Sequence, residues 1–300
     1  MNAHAKIPSA STLLSSRALI VSLSISQWAG RRLDREITDE VNQQHNAAAD
    51  AGRYNKLLLP KEALAGIQKV VSATRTGFIE RTLPWMDSGS RIMAADAYMA
   101  HTAWMRGQER KFSEAVDAFL TTYPDHVNDA RRRLGGLFKD EDYPTVEQLR
   151  GRFRMETHVL PVPTSDDFRV TMSEAQAERI RADIERHVTE ATQDAVRNIY
   201  ERVAELARRM VERLNAYKPA KGKDKAEGIF RDSLVENVRD MIEVLPALNI
   251  TGDPALDELG ERLKSLAQWD ASVLREDAAI RRDVAHEAQQ ILNTIGDFLG

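Results

Sequence analysis

The longest regular pattern in the chain lies in its second half. From residue 180 onward, apolar side chains return every three or four positions: Ile180, Ile184, Val188, Ala191, Ala195, Ile199, Val203, Leu206, Met210 and Leu214. Their mean step of about 3.8 residues exceeds the 3.5 of a left-handed coiled coil and predicts a straight or slightly right-handed packing seam. Ser173 with Gln176 three residues on has the form of a capping box, and neither glycine nor proline follows until Pro219. The pattern therefore predicts one very long helix, roughly 65 Å from end to end. Its apolar stripe must be buried by the helices that follow or by a second subunit.

Three shorter helical patterns come after it. Ile229 to Leu245 ends at Pro246, Asp253 is placed to cap a helix over Leu256 to Leu266, and Trp269 leads into a stretch carrying Val273, Ile280, Val284, Ile291, Leu292 and Ile295. Residues 172–300 thus read as a long-helix bundle. Within it, a Lys-rich linker covers 218–228, with Pro219, Gly222 and four lysines from Lys218 to Lys225.

The first half alternates more. Val21, Leu23 and Ile25 interleave with Ser22, Ser24 and Ser26, the period of two of a strand with one buried face, over 18–26. Leu33, Ile37 and Val41 then fall at helical spacing. Pro60 opens a helix through Leu64, Ile67, Val70 and Val71. Ser88-Gly89-Ser90 reads as a turn, with Ser90 capping a helix through Met93, Ala97, Met99 and Trp104. A further helix carrying Phe112, Val116, Phe119 and Leu120 is expected to stop before Pro124. Thr145 caps a short helix from Val146 to Arg150. Phe153 to Pro163 is strand-like and closed by two prolines, and Phe168 to Thr171 adds a few extended residues.

The fold class predicted is mainly α: an elongated helical bundle with one very long helix, plus a small two- or three-stranded sheet built from 18–26 and 153–162. The domain reading is a flexible N-terminus over 1–17, an α+β domain over 18–171 and the long-helix bundle over 172–300. Lys6 and the apolar stretch Ala18 to Ile25 have the rough layout of a signal peptide, but Arg17 interrupts it and no A-x-A pattern follows. The expectation is a cytoplasmic protein.

Composition narrows the chemistry. The 300 residues hold 42 Lys and Arg against 46 Asp and Glu, a net charge of −4, and no cysteine. Disulfides, thiolate metal sites and cysteine nucleophiles are excluded. Charge divides unevenly: residues 1–171 carry 23 basic against 21 acidic side chains, and residues 172–300 carry 19 against 25. Any positive surface is expected in the first half.

No phosphate loop, dinucleotide fingerprint, His-Glu-x-x-His or Gly-x-Ser-x-Gly occurs. Asp283 with His286, and Asp183 with His187, are isolated pairs on charge-rich helices and read as solvated faces. Asp140-Glu141-Asp142 lacks the alternation of a calcium loop. No catalytic residue, metal ligand or cofactor is therefore assigned, and a hydrolase or metalloenzyme is the last reading to be considered.

Arginine clusters are more suggestive. Arg31, Arg32 and Arg35 share an expected helix start; Arg131, Arg132 and Arg133 form a second group; Arg150, Arg152 and Arg154 form a third. Trp28, Phe138, Tyr143 and Phe153 lie close to them in sequence, giving the mixture of arginine and aromatic that stacks single-stranded bases. Should nucleic acid bind, Arg131, Arg132, Arg133, Arg152 and Arg154 are the expected contacts. The opposing reading pairs Arg35 with Asp39, and sets Asp129 and Asp140 to Asp142 against the second group.

Three segments carry a family resemblance: Leu23-Ser-Ile-Ser-Gln-Trp-Ala-Gly-Arg-Arg32, Asp142-Tyr-Pro-Thr-Val-Glu-Gln-Leu-Arg-Gly-Arg-Phe153 and Leu160-Pro-Val-Pro163. They resemble domain of unknown function 3150, an uncharacterised bacterial and phage family, over residues 18–170. The family has no assigned activity, so the resemblance implies only context: genes for a MoxR-type AAA ATPase and a von Willebrand A-like protein nearby. The function expected is a non-enzymatic scaffold or adaptor of phage or mobile-element type. Its long helices would bind a protein partner such as that ATPase, or a second copy. The alternative is a single-stranded nucleic-acid-binding protein of phage replication or recombination.

Overall fold

The computed structural model describes residues 10–86, 89–164, 174–220 and 225–299. The expected cap at Ser173, the extended residues 168–171, Ser88 of the expected turn, the centre of the Lys-rich linker and residues 1–9 lie outside them. Among the described residues the chain is mainly α. Its helices are α1 (Ala10–Arg17), α2 (Arg35–Gln44), α3 (Ala65–Glu80), α4 (Tyr98–Leu134), α5 (Val146–Arg150), α6 (Glu174–Ala216), α7 (Ser233–Leu248), α8 (Pro254–Ala267), α9 (Ala271–Glu276) and α10 (Ala278–Leu299). The strands are β1 (Ala18–Ser26), β2 (Arg31–Leu33), β3 (Asn55–Leu57), β4 (Leu83–Pro84), β5 (Arg91–Ala94) and β6 (Arg154–Pro161).

The very long helix is present: α6 runs for 43 residues. Val188, Ala195, Ile199, Val203 and Met210 are buried along it, as the stripe requires, while Leu206 and Ile184 are only half-buried. The sheet is larger than expected. Four strands run in the order β4-β5-β1-β6, with Ala18 opposite Ala94 and Leu83 opposite Ile92 in antiparallel pairs, and β2 pairs with β3 in a separate ribbon.

Several local expectations fail: Pro246 lies inside α7 rather than ending it, the single last helix expected after Trp269 is two, α9 and α10, and in two further cases tertiary burial overrides a local signal. Arg91–Ala94 is a strand rather than the helix expected from Ser90, because Ile92 and Met93 are both wholly buried where β5 pairs with β1. Pro124 does not end α4, which continues to Leu134. A proline inside a helix removes one backbone bond, but Phe119, Leu120, Tyr123 and Ala130 are all buried and hold the helix on its course across the break.

The expected division at residue 171 also gives way. The chain forms two compact units that interleave along the sequence. One comprises residues 1–22, 79–101 and 158–300; the other comprises 23–78 and 102–157. In the first unit, Leu14, Ala18, Leu83, Trp85 and Ile92 from the N-terminal half join one core with α6, α7, α8, α9 and α10. Residues 10–17 are therefore helical, not flexible: Leu14 is buried, and the Ser11 N–H donates to Glu185 at 3.1 Å. Helix α10 is the principal partner of α6. The ends of the Lys-rich linker are held too, by a two-way backbone bridge and an ion pair between Lys218 and Glu227.

The second unit is built on α4, α3, α5 and the β2–β3 ribbon, around Trp28, Ile67, Phe112, Phe119, Tyr123, Leu149 and Phe153. Trp28 meets Tyr123 edge to face at 6.0 Å. Thr145 caps α5, as expected, and Gln148 completes a capping box with it.

Candidate functional site

The arginines singled out from sequence all lie on the second unit, but most are already engaged. Arg131 pairs with Asp140 at 2.6 Å and covers the Phe138 ring at 4.3 Å. Arg132 pairs with Asp129, and Arg133 donates to the Leu57 carbonyl at 2.6 Å. Arg150 is bonded to Asp117. Arg31 and Arg32 sit on β2 rather than sharing the start of α2. Arg152 and Arg154 are exposed and have no ion-pair partner among the described residues. The aromatics are occupied as well: Trp28 and Phe153 are core residues, and Phe138 stacks on Tyr143 at 4.9 Å. The Tyr143 hydroxyl donates to the Leu58 carbonyl.

Sequence reasoning missed the most buried polar cluster in this unit. Lys56, on β3, is 2% exposed, and its ammonium donates to Asp34 at 2.9 Å, contacts Asp142 at 2.6 Å and donates to the Leu137 carbonyl at 2.9 Å. Burial works against the Lys56 charge, but the two carboxylates outweigh it and the net shift of its pKa is upward. The same hydrogen bond to Lys56 holds the Asp34 carboxyl below its usual range. The adjoining pocket of about 460 Å³ is walled by Arg32, Arg35, Lys56 and Lys139 together with Asp34, Glu36, Glu141 and Asp142. Cations and acids match one for one, and Arg32–Asp142 and Lys139–Glu36 close further pairs. The cluster neutralises itself and offers an incoming ligand no net charge. It ties β3, the cap of α2 and the 137–142 turn together.

The first unit contains a surface of a different kind. On α6, Arg202, Glu205, Leu206, Arg209, Glu212 and Arg213 fall at helical spacing on a face distinct from the buried Val203, Ala207, Met210 and Leu214. On α7, Asn237, Asp240 and Met241 do the same, while Val235, Val238, Leu245 and Leu248 enter the core and Val244, also a buried core residue, borders the cavity. Between these two secondary faces lie cavities of about 520 and 530 Å³. Both are bounded by Glu205, Arg209 and Asn237, so they are two ends of one trough. At one end Leu206, Met241, Val244 and the half-exposed Ile79 give an apolar floor; at the other stand Ile229, Phe230 and Leu234.

The trough has a fixed wall. Arg202 donates to the Glu80 and Thr82 carbonyls at 3.1 and 3.0 Å, and Arg91 donates to the Ile79 and Thr82 carbonyls at 3.1 and 2.7 Å. The end of α3 leaves carbonyls without helical donors, and these two guanidinium groups supply them. Burial, and for Arg91 the neighbouring Arg202, lower the pKa of both. The Arg209 guanidinium holds the Glu205 carboxyl below its usual range.

His101, also in this unit, is buried, and burial followed by the charge of Arg81 pushes its pKa down to about 4. Asp183 is bonded to Arg186, and His286 contacts Gln290. Among the described residues, no group of three or more histidines and acids is placed to hold a metal ion, and no helix is long and apolar enough to cross a membrane. No family model, curated protein or solved structure matches the chain.

Proposed function

We propose that this chain is a non-enzymatic interaction protein, a scaffold or adaptor whose helices α6 and α7 receive a protein partner. One observation carries the reading: both helices possess a second, partly apolar face beyond the one they bury, and the two faces open onto a shared trough. Single exposed apolar residues are ordinary on protein surfaces, whereas an aligned apolar floor with a charged rim is a feature of partner sites. The resemblance to domain of unknown function 3150 nominates a MoxR-type AAA ATPase as that partner, in a phage or mobile-element setting, with the chain coupling the ATPase to a target. Affinity purification from the native host, with nuclease treatment, tests the reading. A protein that remains after nuclease, and that changes its ATP turnover when this chain is added, is the expected result. Recovery of no protein removes the reading.

A second reading, single-stranded nucleic-acid binding, is favoured by Arg152 and Arg154, which are exposed and have no ion-pair partner among the described residues. It predicts an affinity for labelled single-stranded DNA that falls about tenfold or more between 50 and 200 mM salt, because each phosphate contact releases counterions. Binding unaltered when Arg131, Arg132, Arg133, Arg152 and Arg154 all become alanine removes it.

A further inference from the structure

We propose that a cleft beside α1 binds a small amphipathic carboxylate, an acyl chain ending in a carboxylate group, as a ligand separate from any protein partner. The cleft belongs to the first unit and has a volume of about 350 Å³. It lies where α1, Thr192 of α6 and the turn at residues 250–252 meet. That size is near the lower end for small-molecule sites, which are mostly apolar with a few fixed polar groups.

Its apolar part is built from the core outward. Leu14 and Ile250 are buried core residues and give it a floor, while the half-exposed Leu13 gives it a rim. Among the described residues no aromatic or acidic side chain lines it. Branched aliphatic walls suit a flexible acyl chain, and there is no ring face on which a planar ligand would stack.

Arg17 sets the charge. It stands four residues after Leu13, on the same face of α1, and is the only charged side chain lining the cleft among the described residues. Its position is fixed: Nη1 donates to the Thr251 carbonyl at 3.1 Å and lies against Gly252, where φ is +66 and a Cβ would collide with that nitrogen. Glycine at 252 is what lets the guanidinium lie there. Its remaining N–H groups have no partner among the described residues, which leaves the planar fork open to a carboxylate. Asp253, next in the chain, does not compete, because its carboxylate accepts from the Ala255 N–H at 2.9 Å. An acyl carboxylate meets both halves of the cleft, its chain covering the leucines and Ile250 and its head bonding Arg17.

Octanoate, octanol and acetate titrated into the full chain by isothermal calorimetry make the test. The first shares its chain with the second and its head group with the third. Octanoate should bind at one site, at least about tenfold more tightly than octanol, the effect of a charge-assisted hydrogen-bonded pair. Acetate should not bind measurably. Arg17→Gln should remove the advantage of octanoate and leave octanol binding in place, whereas Leu13→Ser should weaken both. Both positions are exposed, so both variants should melt close to wild type. Equal binding of octanoate and octanol, or no binding of octanoate at millimolar concentration, overturns the proposal on the unaltered chain, whatever the variants do. An advantage that survives Arg17→Gln, or affinities untouched by Leu13→Ser, overturns it as well.

Discussion

Lys56 Nζ lies 2.6 Å from the Asp142 carboxylate, and both side chains are almost wholly withdrawn from solvent. With Asp34 on its other side, the ammonium offsets two buried acids at once, and Arg32 reaches one of them, Asp142. Breaking such a pair from one side leaves charge uncompensated. Lys56→Met should therefore cost about 3–5 kcal/mol of stability, read from urea unfolding of the full chain. Replacement of all three of Lys56, Asp34 and Asp142 by apolar residues should cost less than the single change.

The acid side of the stability profile should fall in two steps. His101 has its folded pKa depressed from 6.5 to about 4, so the unfolded chain takes up that proton first. Stability from this group is complete above pH 6.5 and is lost as pH falls toward 4. Asp34, also depressed, holds its contribution above its ordinary value of 3.8 and loses it only as pH falls through its lower folded value. Chemical denaturation between pH 7 and 3 should show the earlier loss, and His101→Gln should flatten that first step while leaving the second.

Ile199 is wholly buried at the middle of α6 within the first unit's core. Ile199→Ala should cost about 2–5 kcal/mol through lost burial and the cavity left behind. Ile199→Asp should be more severe, above about 4 kcal/mol. A melting temperature equal to wild type for the aspartate variant would show that this stripe is not core.

Gly228 has φ +61, and a Cβ there would stand 2.3 Å from the Ala216 carbonyl oxygen. Gly228→Ala should cost on the order of 1–3 kcal/mol, because neither the backbone conformation nor the contact can relax without moving the end of α6. Loss of the Lys218–Glu227 bridge, followed by amide exchange at those two residues, is the accompanying sign.

How much of this was legible in the sequence depended on the range over which each feature is decided. Thr145 with Gln148 and Asp253 ahead of Pro254 are local capping signals, and both helices start where those residues place them. The stripe from Val188 to Leu214 is a periodic signal repeated many times, and every position of it but Leu206 is buried. Arg91–Ala94 and Pro124 were misread because each depends on burial supplied by distant chain: β1 in one case, the aromatic core of the second unit in the other. The interleaved units escaped for the same reason, since nothing local tells Leu14 or Trp85 that their neighbours are α6 and its partners. The trough was visible only in part. Leu206 was read as one more core position, yet it faces the trough half-buried, because the seam of a long helix packed chiefly on α10 leaves its flank uncovered. Lys56 had no signal at all: a lysine beside three leucines looks like an exposed strand residue until Asp34 and Asp142 are brought to it.

The central claim is that a protein partner sits along α6 and α7, and amide hydrogen exchange on the nuclease-treated complex recovered from the host tests it most directly. The account predicts slowed exchange over residues 202–213 and 237–244 relative to the free chain, with residues 150–156 unaffected. Protection confined to residues 150–156, or a complex that leaves exchange along α6 and α7 unchanged, would contradict it.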